Sequence, residues 1–148
     1  MNDSTHKPAT SEDFDTFVSL CDSDYGWKLS WENREKTCRV WERHYETSST
    51  KTIRVQAVFD SVNPTTMYDV LHDPDFRKEW DDNMIEGYSI EQIDACNEIG
   101  YYAIKIFGCS NRDFVTKRSW REKEEQEWLI ISRSVNHPRQ PEKPGYIR

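Results

Sequence analysis

Residues 63–81 read NPTTMYDVLHDPDFRKEWD, and this stretch decides the fold class. Asn63 before Pro64 is a helix start: the Asn side chain caps free backbone N–H groups, and Pro suits the first helical turn. The helix is predicted to run to about Leu71, with Met67, Val70 and Leu71 turned inward. Asp73 before Pro74 repeats the device and starts a second short helix towards Trp80. Both flanks of this helical island read as strands. Upstream, residues 51–59 alternate, with Ile53, Val55, Ala57 and Phe59 on one face and Thr52, Arg54 and Gln56 on the other. Strands at 27–31 and 38–46 precede them, and Ser11 opens an amphipathic helix in which Phe14, Phe17, Val18 and Cys21 recur at helical spacing. Downstream, strands are expected at 84–92, 100–107, 112–121 and 128–134. A proline-bearing loop follows at 137–144, and a strand begins at Gly145. One helix, three strands, two short helices and then a run of strands make an α+β class with a large antiparallel sheet. The short helices are too few to cover that sheet. Either it curls on itself or something else fills its concave side.

With 148 residues, the chain has the size of a single domain. Residues 1–10 are expected to be a disordered tail and 11–148 the domain. Six Trp and seven Tyr are too many aromatics for a disordered chain. A net charge of −7 argues against broad nucleic-acid binding and against electrostatic anchoring to anionic lipid. No apolar run is long enough to span a bilayer, and the first residues lack a signal-peptide pattern. Cys21, Cys38, Cys96 and Cys109 carry no CxxC spacing, so reduced thiols in a cytoplasmic protein are expected.

Catalytic signatures are missing: there is no HExxH, GxSxG, P-loop or GxGxxG. His72, Asp73 and Asp75 are metal-ligand types, but acidic residues at a helix N-terminus are ordinary dipole partners. Two segments say more. In the run from Phe76 to Asp81, Phe76 and Trp80 are i,i+4 neighbours, and so are Arg77 and Asp81. The pair reads either as a surface ion pair beside a core anchor, or as an Arg held ready for a phosphate with aromatics near for a quaternary ammonium. On the strand at 112–121, Phe114, Thr116, Arg118 and Trp120 share one face. If that face points inward, Arg118 is an internal charge needing a carboxylate, a polar ligand or water.

These segments together resemble the START (StAR-related lipid transfer) domain, in particular its phosphatidylcholine transfer branch. The resemblance is carried by Leu71-His72-Asp73, by Arg77-Lys78-Glu79-Trp80-Asp81, by Gly100-Tyr101-Tyr102, by Asn111-Arg112-Asp113-Phe114 and by Arg118-Ser119-Trp120, in order and at matching spacing. It implies a helix-grip fold, a curved antiparallel sheet around a lipid tunnel, with the family's last strands and C-terminal helix falling after Arg148. It implies no enzyme activity and no cofactor, but binding of one glycerophospholipid of the phosphatidylcholine or phosphatidylethanolamine class and its transfer between membranes. Arg77 maps onto the phosphate-binding arginine and Asp81 onto its supporting aspartate. Phe114, Leu71 and Val62 map onto the pocket wall, and Arg118 onto a cavity charge of sterol-binding members. The carboxylate partner known there falls near Ala103 and Ile104, where this chain has no acid. Trp80, Tyr101 and Tyr102 are the aromatic candidates for a choline head group. The implied partners are a phospholipid and, transiently, a membrane surface, with no nucleic acid and a monomeric protein. The alternative is a START fragment without transfer activity that works through protein contacts at an open sheet edge.

Overall fold

The computed structural model describes residues 7–124 and 126–148. The chain divides into two compact units, one of residues 7–14 with Asn63–Arg148 and the other Asp15–Val62. Each is described by itself.

The smaller unit takes most of α1 (Ser11–Asp22) and the strands β1 (Lys28–Glu32), β2 (Cys38–Arg43) and β3 (Thr52–Ala57), paired antiparallel in that order. The turn before β2 is set by Asn33, whose side chain accepts from the Cys38 N–H at 2.9 Å, and by Lys36 in the left-handed region at φ 58°. The alternation of β3 is present, but its apolar face is the exposed one: Ile53 and Val55 are 59% and 61% exposed. Arg54 explains this inversion. Its guanidinium lies 4.9 Å from the Trp27 ring and 4.5 Å from the Trp41 ring. It also donates to the carbonyls of Cys21 and Ser23 at 3.0 Å each, at the helix end where carbonyls lack partners and a cation is favoured.

The larger unit is built on β4 (Met84–Asp94), β5 (Asn97–Ile104), β6 (Asn111–Glu124) and β7 (Glu127–Ser134), antiparallel in chain order. A short β8 (Tyr146–Ile147) joins β6 in parallel at Asn111 and Arg112. The expected α+β antiparallel class holds. The strands hydrogen-bond as two sheets, however, not as one large sheet, because no ladder joins β3 to β4 among the described residues. Strand β5 alternates strictly. Ile99, Tyr101 and Ala103 are buried with Val115 and packed by Ile90, Ile93, Val135 and Tyr146, while Glu98, Gly100, Tyr102 and Ile104 face the other way. On the core side Asn97 accepts from the Ser119 hydroxyl at 2.5 Å and from the Ala9 N–H at 3.0 Å. The expected tail 1–10 lies for residues 1–6 outside the described residues.

Two helices follow the caps read from sequence, α2 (Pro64–His72) and α3 (Pro74–Arg77). Asn63 Oδ1 accepts from the Thr65 N–H at 2.8 Å. Asp73 Oδ1 accepts from the Asp75 and Phe76 N–H groups at 2.8 and 3.2 Å, so Asp73 is a cap. Several boundaries differ from expectation, among them the ends of β4 at Asp94 and of β6 at Glu124, and three have an evident local cause. Helix α3 ends at Arg77, and the chain to Asp81 continues as a turn closed by the Asp81 N–H on the Arg77 carbonyl at 2.9 Å. Strand β2 stops at Arg43, before a turn from Tyr45 to Ser48. Strand β5 spans Asn97–Ile104 and not 100–107, because Asp94 accepts from the Cys96 N–H and the Asn97 amide at 2.8 Å each and so starts the strand early.

Candidate functional site

A cleft of about 260 Å³ opens on the outward face of β5 and β6. Strand register builds its floor in rows. Gly87, Tyr102 and Phe114 pair across β4, β5 and β6; Ser89, Gly100, Thr116 and Ser134 form the next row; Glu98, Arg118 and Ser132 form the third. Leu71, Pro74 and Arg77 supply the wall from α2 and α3. The middle row is small because Gly100 lacks a side chain: a Cβ there would meet only the Tyr88 carbonyl at 3.6 Å.

One end of the cleft carries Arg77. Its Nε donates to Asp81 Oδ2 at 3.1 Å, the i,i+4 pair expected from sequence. Among the described residues Asp81 is the only carboxylate it pairs with, and the Tyr102 hydroxyl stands beside the same guanidinium. Tyr102 donates its hydroxyl to the same Oδ2 at 2.5 Å. The guanidinium lies 4.3 Å from the Tyr102 ring and 5.1 Å from the Trp80 ring. Asp81 is thus pinned from two sides and only 13% exposed, while Arg77 keeps 35%. The Tyr102 hydrogen bond, with Arg77 after it, holds the Asp81 carboxyl below the usual carboxylate range. Burial, and then the bond to Asp81, push the Tyr102 phenol up to about 12. The arrangement is an arginine oriented by a single carboxylate at the cleft, a geometry suited to an anion.

The third row holds Arg118, 17% exposed, and Glu98, 13% exposed, with Nε 3.7 Å from Oε1. Nη2 of Arg118 lies 2.5 Å from the His72 carbonyl and 2.6 Å from His72 Nδ1. Burial lowers the pKa of Arg118, and Glu98 opposes that. Burial and the facing Arg118 lower that of His72, so the neutral imidazole accepts from the guanidinium. Glu98 is the acid the sequence left unidentified: no carboxylate stands at Ala103 or Ile104, the position implied by the resemblance, and Glu98 meets Arg118 from directly across the ladder, five residues before Ala103. The expected strand began at Gly100, which left Glu98 in a turn and hid it.

The remaining expected residues divide. Phe114 lines the cleft with its ring centroid 6.0 Å from that of Tyr102. Leu71 lines it while 48% exposed, which modifies the inward placement read for it. Trp80 stands over Arg77 and is not part of the cleft wall. Tyr101 borders the cleft, but its ring is 3% exposed in the core, beside Tyr88 at 5.0 Å. Val62 belongs to the smaller unit and is not among the cleft residues. The four cysteines are free. Among the described residues no His, Cys, Asp and Glu group could hold a metal ion, and no helix is long and apolar enough to cross a membrane.

A sheet face that floors a cleft, with an arginine at one end and an apolar wall beside it, offers charged donors and apolar surface side by side. Residues 12–148 match the START domain model, and the chain belongs to the START domain family. START domain-containing protein 10 of Homo sapiens is 33% identical over 139 residues, which cover 93% of this chain and 47% of that protein. Human phosphatidylcholine transfer protein is 34% identical over 101 residues, 64% of this chain and 45% of that protein. The crystal structure of human STARD10 superposes with a TM-score of 0.88 at 31% identity, over 99% of this chain and 60% of that one. Human StAR-related lipid transfer protein 5, at 20% identity and a TM-score of 0.82, shares the fold. The chain spans about half the length of the curated relatives it matches.

Proposed function

We propose that this chain binds one glycerophospholipid, of the phosphatidylcholine or phosphatidylethanolamine class, and carries it between membranes without chemical change. One observation carries the reading: Arg77 is oriented at the cleft by Asp81 through Nε, and its guanidinium meets no other carboxylate among the described residues. The phosphate would accept from that guanidinium in charge-assisted hydrogen bonds, with Asp81 and Tyr102 holding it in place. Phe114 and Leu71 would meet glycerol and acyl carbons, where apolar burial drives binding. Tyr102 and Trp80, expected as choline-facing rings, each already carry Arg77 against their ring, so a choline would turn to Phe114. The relatives named as transfer proteins support the class of ligand. The protein would work as a cytoplasmic monomer that meets membranes transiently.

The test is native mass spectrometry after mixing with phosphatidylcholine and phosphatidylethanolamine vesicles. The wild-type chain should carry one phospholipid. Arg77→Ala, folded by circular dichroism, should lose capture about 10-fold, or ~1.4 kcal/mol; unchanged capture removes Arg77 from the site. A second reading, a protein-contact role without transfer, is favoured by the exposed Leu29, Trp31, Ile53 and Val55 of the smaller unit. It predicts a folded chain with no adduct.

A further inference from the structure

Helices α2 and α3 meet at one extended residue, Asp73, at φ −74° and ψ 111°. It closes the first helix and caps the start of the second, so the two form a jointed arm. That arm carries Leu71, Pro74 and Arg77 into the wall of the cleft. The residue before the joint, His72, fastens it to the sheet. Nη2 of Arg118 on β6 donates to the His72 carbonyl at 2.5 Å and to His72 Nδ1 at 2.6 Å. The imidazole lies edge-on to Trp120 with centroids 4.3 Å apart, and stacks on Tyr68 at 5.0 Å. Tyr68 in turn stacks on Trp128 of β7 at 4.2 Å.

A neutral imidazole has one nitrogen that accepts and one that donates. Here Nδ1 accepts from a guanidinium, which keeps its charge throughout the physiological range. A proton on Nδ1 would set one N–H against another, with like charges face to face, and the bond would be lost. The charged groups acting on the ring are Arg118 from β6, Glu98 from β5, and Asp69 and Asp73 from its own helix and cap. The three carboxylates favour the proton, but burial and Arg118 outweigh them. From α3, Arg77 repels Arg118 in turn, and β7 brings Trp128, which carries no charge. The closed arm therefore belongs to the neutral ring. With the arm open and the ring in water, His72 would titrate near its ordinary value, so acid favours opening. We propose that His72 is a proton-operated latch on the cleft wall: neutral, it clamps the α2–α3 arm to Arg118; protonated, it frees the arm and lets a bound phospholipid leave. The cargo rests on the phospholipid reading above; the latch does not. A wall that is mostly shut at both pH values holds lipid at both, so the latch acts on the rate of release. For a group that titrates near 6.5 when free, the open population rises by up to about 10-fold between about pH 7.5 and about pH 5.5.

The experiment loads the full chain with pyrene-labelled phosphatidylcholine and mixes it with excess unlabelled phosphatidylcholine vesicles, whose headgroup does not titrate in this range. Wild-type release should run about 5- to 10-fold faster at about pH 5.5 than at about pH 7.5. In His72→Gln, which keeps an acceptor and takes no proton, the two rates should agree within about 2-fold. Equal acceleration in both chains, or none in the wild type, overturns the latch and leaves the phospholipid reading standing. Amide hydrogen exchange on the lipid-free wild type, corrected for the chemical rate, decides the latch if the variant does not fold. Exchange across residues 65–77 should accelerate about 5- to 10-fold at the lower pH while Ile99 and Val115 in the core stay protected. Unchanged exchange at 65–77, or equal acceleration in the core, overturns the proposal. A wild-type chain that captures no phosphatidylcholine at either pH overturns the phospholipid reading, and the exchange result alone then upholds or overturns the latch.

Discussion

Asp81 is held from two sides beside the cleft, since its Oδ2 accepts from both Arg77 and Tyr102. A hydrogen bond to a charged group contributes about 1.5–3 kcal/mol. Tyr102→Phe removes one and is expected to lower unfolding free energy by roughly 1–2 kcal/mol in urea titration. It should also move the Asp81 carboxyl back towards its ordinary range, which a carbon-detected NMR titration reads directly. Arg118 and Glu98 behave differently, because removing one partner strands the other. Glu98→Gln should destabilise by roughly 1–3 kcal/mol, below the 3–5 kcal/mol of a fully buried pair because both side chains keep some solvent contact. A double variant with Met at both positions should recover most of that loss in a double-mutant cycle; additive losses would show that the two are not coupled. Residue identity announced Arg77–Asp81, since i,i+4 geometry belongs to one local segment. It did not announce Glu98, whose role exists only through the strand across from it.

Among the elements, β5 is central to the site, paired with β4 on one side and β6 on the other. Its two faces do opposite work: one makes the core and the other floors the cleft. Gly100 sits on the cleft face with open space above it. Gly100→Val should fill the cleft, reduce phospholipid capture about 10-fold and keep or raise stability, since Val suits a strand better than Gly. A loss of capture explained by unfolding would refute this and would be visible in the melting curve. The helix starts were legible because a cap is a local device. Asn63→Ala removes the acceptor for the Thr65 N–H and should cost about 1 kcal/mol in urea unfolding. Strand limits were less legible. The early start of β5 depends on the turn chemistry of Asp94, and a shift of strand start changes which residues face each other.

For the whole molecule, charge and burial set a pH window. His72 has its pKa lowered by burial and by Arg118. A depressed value means its contribution is present above the unfolded pKa, about 6.5, and is lost as pH falls through the folded value. Asp81, lowered below its ordinary 3.8, adds a second loss in stronger acid. At the alkaline end, burial and the nearby Asp113 push Tyr101 up to about 12, and Tyr102 reaches about 12 as well. Raised values mean stability is intact below the unfolded pKa of about 10 and declines from there through 12. Unfolding free energy measured against pH should therefore begin to fall below about 6.5 and again above about 10. His72→Gln should flatten the first decline; an unchanged acid limb would show that His72 does not carry it.

The sequence by itself determined the α+β class, the two capped helices, the alternating strands and the Arg77–Asp81 pair. All of these follow from spacings of two to four residues along one chain segment, where helix and strand periodicity fix which side chains are neighbours. Only the tertiary structure decided that Tyr102 lies against Arg77 while Tyr101 turns to the core, and that Arg118 meets Glu98 and His72. It alone decided that Arg54 is the covered residue of β3 and Ile53 the exposed one. Those outcomes depend on cross-strand register and on what packs over each face, and neither is encoded in the spacing of a single strand.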